Sequence, residues 1–149
     1  AAGRIVLIGG LEGLMGSPYQ ALYSASKFAV EGLALSLRME AQDFGVEVCA
    51  LEPSCFRTAF GQRRSVAAAA ESGPYRRRLE AVLSSLARDE AMGSPPLAAA
   101  KAVHALLTSR RMPSRAFVGG GRQRILAGIR FMLSDAAFER ARRKYFRLE

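Results

Sequence analysis

Tyr23 and Lys27 stand four residues apart in the run Leu22-Tyr23-Ser24-Ala25-Ser26-Lys27-Phe28-Ala29-Val30-Glu31-Gly32. On a helix that spacing puts both side chains on one face. A phenol with its ordinary pKa of about 10 is a poor acid–base catalyst at neutral pH. A fixed ammonium beside it stabilises the phenolate and draws the pKa toward the working range. The pair reads as an acid–base device in which the tyrosine exchanges a proton and the lysine tunes it. Tyr-x-x-x-Lys alone recurs by chance on many helices, so its surroundings decide what it is.

Those surroundings form a βαβ unit. Arg4-Ile5-Val6-Leu7-Ile8 is a short apolar run ended by Gly9 and Gly10, the pattern of a parallel-sheet strand buried on both faces. A glycine-rich loop through Gly13, Gly16 and Pro18 leads into a helix over residues 21–44. Phe28, Leu33, Leu35, Leu37 and Met39 are expected to supply its apolar surface. Small residues crowd its first half and permit close approach, and Gly45 is the expected C-cap. Residues 46–51 form a second strand, stopped by Pro53; strand, long helix and strand imply parallel pairing. Residues 61–93 are rich in Ala, Arg and Ser, with a helix from Arg76 to Arg88. Ser94 and Pro95 start another helix as N-cap and first position, Arg115–Val118 is a third strand, and two basic helices close the chain, the last capped by Ser134.

The 149 residues, 50% hydrophobic and 23% charged, suit one globular domain. No run reaches the roughly 18 apolar residues of a membrane span, and Ala1-Ala2-Gly3-Arg4 lacks the layout of a signal peptide, so a cytoplasmic protein is expected. Cys49 and Cys55 are not in CxxC spacing and His104 is the lone histidine; neither a disulfide framework nor a metal site is expected. Residues 1–60 carry four basic and six acidic side chains, residues 61–149 eighteen and seven. The basic surplus admits an anionic ligand, nucleic acid or an anionic membrane surface; solvated arginines on amphipathic helices are the reading preferred here, with no nucleic-acid partner. Phe131, Met132, Phe138, Tyr145 and Phe146, interleaved with arginines, are expected to pack on the domain or cover a substrate mouth rather than lie on a membrane.

Tyr-Ser-Ala-Ser-Lys-Phe-Ala-Val-Glu-Gly-Leu from Tyr23, a short distance after a strand, resembles the active-site segment of the short-chain dehydrogenase/reductase family. The resemblance continues through residues 44–48 and through Glu52-Pro53-Ser54-Cys55-Phe56-Arg57-Thr58, which is similar to the family's Pro-Gly-x-x-x-Thr turn. Arg115–Gly119 resembles its last core strand. The resemblance implies a Rossmann-like α/β three-layer sandwich with a parallel sheet, of which this chain holds the C-terminal half as a single partial domain. Residues 1–60 would be the catalytic βαβ unit, 61–93 a lid, and 94–149 the last helix and strand with the basic tail. It implies an NAD(P)-dependent oxidoreductase that interconverts a hydroxyl and a carbonyl, with NAD or NADP as cofactor; without the cofactor-binding half, these residues alone are expected to be inactive. Tyr23 would be the general acid/base, and Lys27 would depress the tyrosine pKa and bind the nicotinamide ribose. Pro53, the Phe56 backbone and Thr58 would flank the nicotinamide. A small hydrophobic alcohol or ketone is the expected substrate, and a homo-oligomer the expected assembly.

Three departures accompany the resemblance. The serine that the family places thirteen residues before the tyrosine is Gly10 here, and Ser17 is no obvious replacement. The Pro-Gly turn is Pro53-Ser54, which is expected to restrict the backbone. The phosphate-binding fingerprint lies well upstream of the tyrosine in the family and is not expected within these residues; Gly9-Gly10-x-x-Gly13-x-x-Gly16 and Gly119-Gly120-Gly121 read as loops. Gly10 in place of the serine supports an alternative, a non-catalytic, degenerate interaction module of the same fold.

Overall fold

A computed structural model describes residues 3–149; Ala1 and Ala2, part of the N-terminal segment considered above, lie outside the described residues. Three strands, β1 (Gly3–Ile8), β2 (Val46–Pro53) and β3 (Arg115–Val118), form a parallel sheet in the order β1-β2-β3. β1 pairs with β2 from Gly3↔Val46 to Ile8↔Leu51, and β2 with β3 from Ala50↔Arg115 to Pro53↔Val118. Helix α1 (Ala21–Ala41) connects β1 to β2, followed by a 3₁₀ turn and by Gly45 in the left-handed conformation, φ 69°, as the C-cap.

The alternation of β2 side chains divides the core. Val48 and Ala50 join Ala34 of α1, with Ile5 and Leu7 of β1 packed beside them. Cys49 and Leu51 point the other way, onto Leu106 and Met112. Leu106 belongs to α4 (Leu97–Thr108), so helices cover both faces and the domain has three layers, as the fold class requires. Burying each of the larger β2 side chains contributes roughly 1.5–3 kcal/mol.

Several local expectations need correction. β1 is only half buried, and Ile8 is 48% exposed. It is an edge strand of the described sheet, and the doubly buried position belongs to β2. β2 runs through Glu52 to Pro53 instead of ending at Leu51. Proline is tolerated there because the even residues Ala50 and Ser54 donate to β3, which directs residue 53 toward β1, and β1 has already turned away at Gly9. On α1, Phe28, Leu33, Leu35 and Met39 are exposed; the buried positions are Ser24, Glu31 and Ala34. Of the expected apolar residues, Leu37 does pack on the sheet, with Ala34 and Ala41 against Val48 and Ala50. Ser94 does not cap α4, whose N-cap is Pro96. Its backbone is taken up by the turn after β2, receiving the Arg57 N–H and donating to the Cys55 carbonyl.

The lid segment folds as a 3₁₀ turn (Gly61–Arg63), α2 (Ala68–Ser72) and α3 (Arg76–Ala91). The tail forms α5 (Gly121–Arg130) and α6 (Asp135–Tyr145), and Ser134 caps α6 by accepting the Ala137 N–H. Gly119 and Gly120 lie in the loop after β3, whereas Gly121 opens α5 and Leu11–Gly13 is a 3₁₀ turn. No helix among the described residues is long and apolar enough to cross a membrane.

Candidate active site

One cavity of about 420 Å³ is lined by all five residues that the resemblance marks as site residues, Tyr23, Lys27, Pro53, Phe56 and Thr58, with Gly10 in its wall. Tyr23 and Lys27 reach it from the first and second turns of α1. The 3₁₀ turn at Leu11–Gly13 presses against that helix because residue 13 is glycine; a Cβ there would stand 2.7 Å from the Lys27 carbonyl oxygen. The Lys27 ammonium lies 5.7 Å from the Tyr23 ring centre and donates to the Ile8 carbonyl at 3.2 Å. Phe60 packs on the other side of the phenol, ring centres 5.5 Å apart. Pro53 ends β2, Phe56 bridges to Ser94, and the Thr58 hydroxyl accepts the Phe60 N–H at 3.3 Å.

Electrostatically the site departs from the expectation that Lys27 lowers the phenol's pKa. Tyr23 is pushed up to about 12, first by burial and then by the charges of Glu12 and Cys55, with Arg64 opposing. The carboxylates in the cavity outweigh the cations. Burial likewise raises the Glu12 carboxyl, against the pull of its own backbone amide, Arg142 and Lys27. Ser54 adopts no left-handed conformation, so replacing the family's glycine costs no backbone strain there. Its hydroxyl is buried without a hydrogen-bond partner among the described residues.

The walls contain residues that sequence reasoning missed. Glu12 lies two residues past Gly10, and its signal was a charge inside a glycine-rich loop. From α3 come Leu86, Asp89 and Glu90; from the tail come Arg142, Tyr145 and Phe146. Arg142 donates to the Ser17 hydroxyl at 2.6 Å, so Ser17 is tied to the tail. The Tyr145 hydroxyl donates to Asp89. Of the five aromatic and Met residues considered in the tail, Phe138 is buried against Leu11, Leu14 and Met15, Phe146 is buried with Tyr145 packed beside it, and Phe131 and Met132 are exposed. His104 lies exposed on α4, outside the cavity.

A parallel sheet covered by helices on both faces places the chain in the Rossmann-like α/β class. The family model for short chain dehydrogenases matches residues 1–68. A 3-ketodihydrosphingosine reductase of Bacteroides thetaiotaomicron is 31% identical over 145 residues, covering 97% of this chain and 54% of that protein. Human 17-beta-hydroxysteroid dehydrogenase type 1 is 42% identical over 62 residues, 42% of this chain and 19% of that one. A short chain dehydrogenase/reductase from Burkholderia phymatum, solved in complex with NAD, superposes with TM-score 0.64 and 26% identity over 87% of this chain and 46% of that chain. The chain belongs to the short-chain dehydrogenase/reductase family. It spans about half the length of the first of these relatives.

Proposed function

We propose that this chain carries the acid–base half of a nicotinamide-dependent oxidoreductase that interconverts a hydroxyl and a carbonyl on a hydrophobic substrate. The single observation that carries the reading is the convergence of Tyr23, Lys27, Pro53, Phe56 and Thr58 on one cavity. Tyr23 exchanges a proton with the substrate oxygen. Lys27, fixed by the Ile8 carbonyl, orients the nicotinamide ribose. The residues present suit the nicotinamide end of NAD or NADP: Pro53 and Phe56 offer flat apolar walls, and Thr58 a hydroxyl. When bound, that group supplies or accepts the hydride. The cavity's largely apolar wall favours a hydrophobic alcohol or ketone; the reductase and steroid dehydrogenase named above point the same way. The test is consumption of reduced nicotinamide, with a series of aliphatic and alicyclic ketones, by a protein that joins this half to its nucleotide-binding half; no turnover with any of them would count against the reading.

The raised pKa of Tyr23 and the absence of a hydroxyl at position 10 favour a second reading, a non-catalytic module of the same fold. Gly10→Ser separates the two. The Gly10 backbone is extended, and a Cβ there makes only ordinary contacts, 3.5 Å from Glu12 Oε2 and 3.7 Å from the Lys27 side chain, so serine fits. In an enzyme the new hydroxyl should raise kcat by about tenfold to a hundredfold, the scale of one hydrogen bond to developing charge. An unchanged or slower variant would show a site built around glycine.

Self-association is part of the proposal. The outer edge of β1 pairs with no strand among the described residues, and Leu22, Phe28, Leu33, Leu35 and Met39 leave much of α1 exposed and apolar. Open edges and apolar patches of this kind recruit copies of the chain. Size exclusion with light scattering should give an oligomer; a monodisperse monomer that melts cooperatively would refute it.

A further inference from the structure

Beneath the cavity lies a buried acid that the mechanism above does not use. Glu52, the penultimate residue of β2, is 0% exposed. Its Oε2 accepts the Gly10 backbone N–H at 2.6 Å. Its Oε1 is sealed from solvent with no donor of its own. A Cβ at position 9 would run into this carboxyl, which accounts for the glycine there. Glu31 of α1 lies within side-chain hydrogen-bonding reach of Glu52, and such a bond needs a proton on one of the two acids.

The proton belongs to Glu52. Arg115 of β3 donates to both oxygens of Glu31, with Nε at 3.1 and 3.2 Å and Nη2 as a further donor. Burial would raise Glu31, but those bonds hold it below the ordinary carboxylate range. Glu52 has no such cation of its own. Burial first, then its bond to Glu31, push it up to about 8, against the pull of the Gly10 amide. The other titratable group on this part of β2 is Cys49, whose thiol burial pushes up, so it stays neutral over the same range.

The segment that Glu52 grips is also the one that Lys27 grips. The Lys27 ammonium holds the Ile8 carbonyl at 3.2 Å, and its side-chain carbons would lie 3.7 Å from a Cβ on Gly10. Ile8, Gly9 and Gly10 are thus clamped from α1 by a cation and from β2 by a neutral acid, and all three line the cavity beside Tyr23.

We propose that Glu52 is a positioning residue of the site: as the neutral acid it fixes the Ile8–Gly10 wall in register with Lys27, and its ionisation beside Glu31 releases that wall, so that the site loses its working geometry as the solution becomes alkaline. Linkage gives the sign for stability. The folded-state value lies above the ordinary carboxylate value of 4.5, so the folded form binds the extra proton. The contribution is complete below that lower value and is lost as pH rises toward about 8.

The test follows the Gly10 amide by ¹⁵N-resolved NMR through the neutral and alkaline range. In the wild-type protein this resonance should titrate with a midpoint of about 8. Glu52→Gln keeps an acceptor for Gly10 and gives a permanent donor to Glu31, so its Gly10 amide should be pH-independent and remain hydrogen-bonded. Glu31→Gln removes the neighbouring negative charge and should lower the midpoint in a chain whose Glu52 is intact, which covers the case in which Glu52→Gln fails to fold. A wild-type Gly10 amide that does not titrate, or one that titrates identically in Glu52→Gln, overturns the proposal. A second arm rests on the dehydrogenase reading: kcat should fall with the same midpoint, and Glu52→Gln should lose that limb with KM little changed. A titrating amide beside a pH-independent kcat overturns the positioning role and leaves the dehydrogenase reading standing. If no turnover is found at all, that reading fails and the amide arm alone decides whether Glu52 holds the loop.

Discussion

Tyr23→Phe should lower kcat by about a thousandfold while leaving nucleotide affinity nearly unchanged. General acid–base catalysis by a positioned side chain contributes about 10²–10⁴ in rate, and the substitution deletes only the exchangeable proton. The ring keeps its contact with Phe60 and its place in the cavity wall, so binding has little to lose. Lys27→Ala should behave differently. It removes both the cation near the phenol and the bond to the Ile8 carbonyl, so turnover and nucleotide affinity should fall together. Steady-state kinetics with a nucleotide titration checks the contrast. Normal turnover of the Tyr23→Phe protein would remove Tyr23 from its role. With Tyr23 pushed up to about 12, it holds its proton through neutral pH. Reduction, which needs the phenol as an acid, should therefore tolerate pH better than oxidation, which needs the phenolate.

Phe146→Ala should destabilise the fold by about 3–5 kcal/mol, the cost of deleting a buried aromatic ring whose cavity does not collapse. Phe146 is 1% exposed, packs with Val82, Leu86 and Leu148, meets the Tyr145 ring edge-on at 5.0 Å and carries the Arg142 guanidinium at 4.7 Å. It joins the tail to α3 and lines the same cavity as Tyr23. Loss of the ring should also loosen the Arg142–Ser17 contact and raise the KM of a hydrophobic substrate. Denaturant unfolding measures the first effect. A change below about 1 kcal/mol, the scale of a surface substitution, would mean that the tail does not close the cavity.

The elements that sequence reasoning located were those with local signals. Gly9 ends β1, Gly45 caps the helix, Ser134 caps α6, and the apolar runs of β1, β2 and β3 were readable in order. Orientation was harder. Leu33 and Met39 look like core residues, yet the buried positions of α1 are Ser24, Glu31 and Ala34, with Leu37 packed beside Ala34 on the sheet. Ser94 has the chemistry of a cap, but Cys55 and Arg57, far away in sequence, compete for its backbone.

At the candidate site the pairing of Tyr23 with Lys27 was legible because one helix sets it. The phenol's actual electrostatics were not, since Glu12, Cys55 and Glu90 reach it from three other segments. Glu52 follows an apolar run that looks complete at Leu51, and nothing local marks an acid that owes its state to Arg115 being committed to Glu31. The closure of the cavity by Phe146 is a contact over more than a hundred residues of chain, with no periodic signature.

The most direct measurement is the fate of the hydride. Incubation of the protein with a nicotinamide nucleotide deuterated at its transferable position and a hydrophobic ketone should place one deuterium on the carbinol carbon of the product, and the Tyr23→Phe protein should yield almost none. Recovery of the ketone unlabelled and unreduced, under conditions where the protein is folded and binds the nucleotide, would contradict the assignment of this cavity to hydroxyl–carbonyl interconversion.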